Sequence, residues 1–482
     1  MTLLVIDLGS SSARTLLFDD DARLIDGSIR SRRHDFATDG GGLAVADAPQ
    51  LRSLVEDCLD EVLAHPAAQS IRAVGLATFV GNWLGVDEMG AACTPLHTYA
   101  DTRSRRQIPA LLAKLSGDAE SYHQATGCLL HPAYLPAQYA HLTATDPECE
   151  AKIARISDIG GYLYRCWFAR DMPTSLSVAS WSGLLESARS DWHREYARLL
   201  GGENLSAKLP SLADFDTVQV GLVEDYAARW PHLRDCPFFL ALGDGAAANI
   251  GSGAFDADRI ALTIGTTSAL RVVKHVDRVP DGLWRYLINA DMPLVGGATS
   301  EGGNVYQWVM EDLLFGDETL EAQLAACAPD AHGLTVLPLL AGERAPGWRG
   351  DAVGTIHGIG RHTGRLDILQ AHLEAVALRL SLIYDLLNDE TAEVMAGGGA
   401  LQSSLAWARM MADAFDTPIH LQAETEITAR GVALMMRRSL DGVPLDAQLP
   451  AVERVIEPES ERVRLLRRAR ERQLNLYRRL YA

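Results

Sequence analysis

Leu242-Gly243-Asp244-Gly245-Ala246-Ala247-Ala248-Asn249-Ile250-Gly251 and, after a short gap, Ile260-Ala261-Leu262-Thr263-Ile264-Gly265-Thr266-Thr267-Ser268-Ala269-Leu270-Arg271-Val272-Val273 decide how this chain folds. The second half runs apolar, then through a glycine and three hydroxyl residues, then apolar again. That is the pattern of a β-hairpin with a tight, donor-rich turn. The first half sets one aspartate between two glycines at the start of a small-residue helix. Backbone this bare admits a ligand closely, and a helix start offers free N–H groups to an anion. The hairpin pattern recurs at the other end of the chain, in Val5-Ile6-Asp7-Leu8-Gly9-Ser10-Ser11-Ser12-Ala13, with Gly9 over Gly265 and Ser10–Ser12 over Thr266–Ser268. Two occurrences so far apart point to a duplicated domain rather than a solenoid. Two related lobes, each with a hydroxyl turn, suit a ligand clamped between them.

A chain of 482 residues is too long for one core and predicts two large domains. Hydrophobic content of 48% and charged content of 22% are ordinary for a globular protein. The net charge of −19 argues against nucleic acid as a partner. It also means that a phosphate ligand needs local help from backbone N–H groups, Mg²⁺ or a placed arginine. The seven cysteines are odd in number and scattered, with no CxxC or His-paired spacing. A reduced, cytoplasmic chain is the expectation. Met1-Thr2 runs straight into a strand, so no signal peptide is expected, and no apolar run has the length of a membrane span.

The periodicity predicts strands over Leu3–Leu8, Ala13–Phe18 and Leu24–Ile29, a helix over Ala48–Ala64 and a buried strand over Ile71–Ala77. From about Gln107 to Ser187 the pattern is mostly helical. Pro231–Pro237 reads as the interdomain boundary, dividing the chain into 1–241 and 242–482. Beyond it, Trp284–Asn289 and Pro293–Gly297 read as strands. Gly302-Gly303-Asn304 opens a helix with Val305, Trp308, Val309 and Leu313 on one face. Asp367 reads as the N-cap of a long helix through Leu387. Val394–Gly399 is a strand ending in glycines, and the arginine-rich tail from Glu459 is a helix with a solvated basic face.

Taken together, the ordered motifs resemble the FGGY carbohydrate kinases, of the superfamily that holds actin, hexokinase and the heat-shock chaperone ATPases. Asp7-Leu8-Gly9-Ser10-Ser11-Ser12-Ala13-Arg14 is similar to the family's first phosphate motif, Gly265-Thr266-Thr267 to the second and Val394–Gly399 to the adenosine motif. Gly354-Thr355-Ile356-His357-Gly358-Ile359, then Asp367-Ile368 and Ala371-His372-Leu373-Glu374, follow the C-terminal signature, with His372 where a small or aliphatic residue is usual. Two places depart from the family: Gln138 and His141 stand where a Lys and a Trp are expected, and Val80-Gly81-Asn82 where relatives often carry Met-His or Arg-Glu. Pro95–Ser104, Val295–Gln307 and Leu334–Trp348 look most like the family's gluconate kinases.

The resemblance implies an α/β fold of two ribonuclease-H-like domains with a cleft between them. It also implies ATP-dependent phosphorylation of a sugar or sugar acid, gluconate first and a ketopentose next, with Mg²⁺ and ATP as cofactors. Asp244 is then the base, because phosphoryl transfer needs a carboxylate to orient the acceptor hydroxyl; the other reading is a helix N-cap. Asp7, a carboxylate in an apolar strand, becomes the metal-side residue; the alternative is an ion pair with Arg14. Ser10, Ser11, Ser12, Gly265, Thr266 and Thr267 would hold the β- and γ-phosphates with Arg14 beside them. Gly303, Gln307, Gly398, Gly399 and Ser403 fall on the nucleotide side. Asn82, Trp83, Asp101, Arg103, Tyr134 and Gly245, with Asp244, are the sugar-side candidates. Arg103 could meet a sugar-acid carboxylate or simply pair with Asp101. A small-molecule substrate and ATP are the expected partners, with no membrane or nucleic acid and with a homodimer left open. Two other readings stay open: a chaperone-like or actin-like nucleotide switch, and a non-catalytic relative.

Overall fold

The computed structural model describes residues 1–312, 319–387, 392–397 and 399–481. Both hairpins form. Thr2–Leu8 pairs antiparallel with Ser12–Phe18, and Arg259–Ile264 pairs antiparallel with Ser268–Val273. Each hairpin then seeds a sheet by the same plan. Thr2–Leu8 takes Ile71–Thr78 in parallel on its free side, and that strand takes Phe238–Gly243 in parallel. Arg259–Ile264 takes Glu393–Gly397 in parallel, and that strand takes Ile419–Gln422 in parallel. On the other side, Ser12–Phe18 takes Arg30–Arg33 and Ser268–Val273 takes Met292–Thr299, both antiparallel. Short antiparallel edge strands complete the sheets: Val218–Gln219 in the first, Trp284–Asn289 and Val452–Ile456 in the second. The duplication legible in two turns therefore extends to the whole strand order, and the expected pair of ribonuclease-H-like α/β lobes is what the chain builds.

Strands at the centre of such sheets are covered on both faces and read as unbroken apolar runs. Ile71–Thr78 is one: every residue except Arg72 is buried. The covering helices carry one apolar stripe each. Ala48–Val62, capped by Asp47 accepting from the Gln50 N–H at 2.8 Å, turns Leu51, Val55, Leu59 and Val62 inward. Arg365–Leu387 and Leu405–Phe415 do the same for the second sheet.

Two further helices join the lobes. Asp244–Gly251 follows the strand Phe238–Gly243, and Ile427–Asp441 follows the equivalent strand of the second sheet. They cross at glycines. A Cβ on Gly251 would lie 1.8 Å from the Ile427 carbonyl oxygen, and one on Gly431 would lie 1.8 Å from that of Ala247. Only hydrogen fits at either point, which is why the sequence of the first helix is so poor in side chains.

Several expectations are corrected. Leu24–Ile29 is not a strand: only Leu24 bridges to Phe18, and the chain turns at Gly27, which has φ +70°. The third strand is Arg30–Arg33, a polar edge strand with no buried residue and so no alternation to read. In the helix Gly303–Asp312, Val305 and Val309 are buried but Trp308 is 36% exposed; Leu313 lies outside the described residues. Asp367 sits inside the first turn of Arg365–Leu387 and accepts from the Gly364 N–H at 2.8 Å. The seven cysteines are all free thiols. Among the described residues no helix is long and apolar enough to cross a membrane.

Candidate active site

A cleft of about 800 Å³ opens between the lobes. Ser10, Asp35, Phe36 and Tyr99 line it from the first lobe, and the turn Gly265–Thr267, Gly397 and the start of Ile427–Asp441 line it from the second. A smaller cavity of about 110 Å³ adjoins it, walled by Val80, Gly81, Tyr134, Trp181, Tyr286 and Arg344. Tyr99, Asp244, Thr263, Thr267 and Arg271 line both spaces. Asp244 therefore stands at the doorway between a large polar cleft and a small, partly aromatic chamber.

The two hydroxyl turns close in similar ways. The Gly9 N–H donates to the Ser12 carbonyl at 2.9 Å, and the Gly265 N–H donates to the Thr267 carbonyl at 2.9 Å. The second turn is also clamped from behind, by the Gly303 N–H on the Gly265 carbonyl at 2.7 Å and the Asn304 N–H on that of Thr266 at 3.2 Å. A Cβ on Gly303 would come within 2.8 Å of that Gly265 oxygen, so a glycine is required for the approach. Ser10, Thr266 and Thr267 line the cleft, whereas Ser11 is exposed and Ser12 already begins the next strand.

Asp244 opens its helix, and its Oδ1 accepts from the Gly245 N–H at 2.7 Å. Burial pushes its pKa up to about 6 against the pull of that N–H and of Arg271, and the charge of Asp7 pushes the same way as burial. Arg271 projects from the second strand of its hairpin, with Nη1 donating to Thr263 Oγ1 at 3.0 Å and Nε buried without a partner. Burial lowers its pKa to about 10, with Asp244 opposing the shift. The first hairpin uses the same cross-strand device. Arg14 lies opposite Asp7 and donates from Nη2 to its Oδ2, while Nη1 donates to Glu426 Oε2 at 2.6 Å. Burial raises the Asp7 pKa and Arg14 opposes this. The ion pair with Arg14 is thus present in the structure, and it reaches across to the residue preceding the second crossing helix.

The remaining candidates divide. Gly397 lines the cleft, Gly399 and Ser403 belong to the short helix Gly399–Ser403 that follows, and Gly398 lies outside the described residues. Gln307 is exposed and donates to Glu311 Oε1 at 2.7 Å. Tyr134 is buried in the wall of the small cavity with its hydroxyl 2.6 Å from that of Tyr286, and Trp181 stacks on Tyr286 at 3.8 Å. Asn82 and Trp83 sit behind this wall, around a separate space of about 40 Å³. Asn82 Oδ1 accepts from the Ile159 N–H at 2.9 Å, and Trp83 stacks on His97 at 4.4 Å. Trp83 Nε1 donates to Gln138 Oε1 at 2.8 Å and Gln138 Nε2 to the Thr98 carbonyl at 2.8 Å, so Gln138 is a buried spacer. Asp101 and Arg103 are not brought to either main space. They hold each other in a fork, with Nε to Oδ1 at 3.0 Å and Nη2 to Oδ2 at 2.6 Å.

Sequence reasoning passed over Arg271, Arg344, Tyr99, Trp181 and Tyr286. Arg271 carried a usable signal, a charge inside an apolar strand, the same signal that singled out Asp7. Arg344 lies in an irregular stretch with no period to break.

Comparison with known proteins matches residues 2–251 to the N-terminal domain, and residues 260–439 to the C-terminal domain, of the FGGY family of carbohydrate kinases. A gluconokinase from Bacillus subtilis (strain 168) is 22% identical over 453 residues, covering 90% of this chain and 86% of its own. The crystal structure of a gluconate kinase from Lactobacillus acidophilus superposes with a TM-score of 0.89 at 22% identity, over 100% of this chain and 98% of that one. A ligand-bound xylulose kinase from the same organism gives 0.89 at 22% identity over 100% and 98%.

Proposed function

The chain belongs to the FGGY family of carbohydrate kinases, and from that membership we propose that it transfers the γ-phosphoryl group of ATP to a hydroxyl of gluconate held beside Asp244. The observation that carries this reading is the position of Asp244 in the lining of both spaces. A polyol in the small chamber and a triphosphate in the cleft would meet where the two spaces join, and Asp244 is the carboxylate lining that junction.

Phosphoryl transfer has a loose transition state, so positioning and charge neutralisation do most of the work. Asp244 orients the acceptor hydroxyl and takes its proton as the bond to phosphorus forms. A pKa near 6 leaves it ionised at neutral pH yet a better proton acceptor than an ordinary aspartate. Ser10, Thr266 and Thr267 offer hydroxyl and backbone donors to the phosphates, and Arg271 offers a cation beside them. Tyr134, Trp181 and Tyr286 give the sugar an apolar platform. Residues 1–241 then supply the sugar side and the first phosphate turn, and 242–482 the base, the second turn and the adenosine side, in a cytoplasmic enzyme.

The residues fit Mg²⁺ in the manner usual for nucleotide sites. Asp7 and Asp244 are close enough to repel, a strain that a divalent cation relieves. Among the described residues no group of three metal-ligating side chains occurs, so such an ion would depend on phosphate oxygens and water for most of its ligands. When bound it would supply neutralisation of phosphate charge.

A coupled kinase assay over gluconate, xylulose, ribulose and glycerol, with and without Mg²⁺, tests the reading. Mg²⁺-dependent turnover with gluconate giving the highest kcat/KM is the expected result. Turnover on none of them sinks the kinase reading for this chain. A ketopentose in first place replaces gluconate with the runner-up.

A further inference from the structure

The small cavity holds more positive charge than transfer to a neutral polyol calls for. Its charged lining groups are Asp244, Arg271 and Arg344. The first two offset one another, and Arg344 is left over. Among the described residues its side chain makes no hydrogen bond or ion pair.

The local structure explains how a lone guanidinium is held there. The neighbouring Glu343 turns the other way, into an ion pair with Arg379 and the Tyr477 hydroxyl at 2.5 Å. The backbone is pinned on both sides, by the Glu343 N–H on the Arg349 carbonyl at 2.8 Å and the Ala345 N–H on that of Ala298 at 3.0 Å. Glu301, outside the cavity lining, also feels Arg344; burial pushes its pKa up to about 8, so it is neutral at pH 7. His131 is pushed down to about 3 by burial and by Arg344, and burial raises Tyr134 and Tyr286, so these neighbours carry no charge either. Arg271 feels both the Asp244 carboxylate and the Arg344 guanidinium. The chamber thus holds a base, a cation near enough to offset its charge and a second cation without a counterion, against an aromatic wall that screens poorly.

We propose that Arg344 selects a sugar acid, its guanidinium taking the carboxylate of an aldonate whose reacting hydroxyl lies at Asp244. The inference rests on the kinase reading above and names the residue that would make its sugar-acid substrate preferred. Arginine presents a planar fork of donors that matches a carboxylate in two parallel bonds. A neutral polyol would leave that fork without a partner of opposite charge, which is how a polar site rejects an analogue lacking the group it was built for.

The test is steady-state kinetics of wild type, R344Q and R344K with gluconate and with D-glucitol and xylulose as neutral acceptors. R344Q is expected to lower kcat/KM on gluconate about 10²-fold, mainly through KM, and to leave the neutral acceptors unchanged or improved. R344K keeps the charge and loses the fork, so a loss of about 10-fold confined to gluconate is expected; this variant decides the matter should R344Q fail to fold. Turnover of gluconate that keeps its preference in both variants overturns the assignment and leaves the kinase reading standing. So does a wild type that accepts only neutral acceptors, or a variant whose KM rises for ATP instead. If wild type turns over nothing, the kinase reading falls, and calorimetry decides this one separately: gluconate bound by wild type and not by R344Q supports it, and no gluconate binding overturns it.

Discussion

Burial raises the Asp244 pKa to about 6, where the base of the proposed reaction would serve an enzyme working near neutrality. Its activity should therefore fall on the acid side with an apparent pKa of about 6, and a pH series of kcat/KM reads this directly. Asp244→Asn should lower kcat by roughly 10²–10⁴-fold, the usual worth of a positioned base, while the nucleotide Kd stays close to wild type. Stability moves the other way. The folded pKa lies above the ordinary 3.8, so the native protein holds the proton more tightly and ionisation works against the fold. That cost is absent below about pH 4, grows between about 4 and 6 and is complete above it. Asp244→Asn should thus raise Tm at pH 8, by about 2 kcal/mol of stability after allowance for partial exposure, and leave it unchanged at pH 4. A variant less stable than wild type at pH 8 would show that the carboxylate does structural work. What the sequence showed at this scale was identity and spacing, not direction. Asp244 was legible because glycines flank it and a hairpin follows. Asn82 and Trp83 have the chemistry of a sugar site but face a different space, and nothing in their spacing says so. Arg103 and Asp101 stand two residues apart, close enough to satisfy each other, and they do.

At the scale of elements, the crossing of Asp244–Gly251 with Ile427–Asp441 makes the sharpest claim. Gly251→Ala puts a methyl group 1.8 Å from a carbonyl oxygen that belongs to a helix and cannot swing away. Overpacking of this kind costs about 3 kcal/mol, so thermal unfolding should show Tm several degrees below wild type. Gly40→Ala is the control for space, since nothing lies within 4 Å of a Cβ there and its φ is not left-handed. Equal losses at the two sites would mean that backbone freedom rather than the crossing is responsible. The hairpins could be read from sequence because a glycine and three hydroxyls interrupt apolar runs at a fixed place. Arg30–Arg33 could not, since an edge strand facing water has no alternation to display. The glycine crossing was half visible: the small residues stand out in the chain, but their partner helix is far away in sequence and looks like any amphipathic helix.

For the whole molecule, the two hydroxyl turns lie on different lobes, and under the proposed kinase reading they cannot both grip one nucleotide across an open cleft of about 800 Å³. The lobes should close when sugar and a non-hydrolysable ATP analogue are both bound, and small-angle scattering should record a smaller radius of gyration than for the free protein. An unchanged radius with both ligands shown to be bound would rule closure out. The two-lobe plan was legible because the repeat lies in the turns. The relation between the lobes was not, because the contacts that set it join residues far apart in the chain, the glycine crossing and ion pairs such as Arg14 with Glu426 among them. For that motion the crossing has a mechanical consequence. Interlocked side chains make most helix contacts behave like meshed gears, which must jump from one packing to another. At Gly251 and Gly431 there are no teeth, and the two helices meet as smooth axles. Rotation about the two glycines themselves exchanges no rotamers, so any step in the stroke comes from what is packed around them: Ile250 against Val432 and Ala433, and Arg430 Nη1 on the Gly251 carbonyl at 2.7 Å.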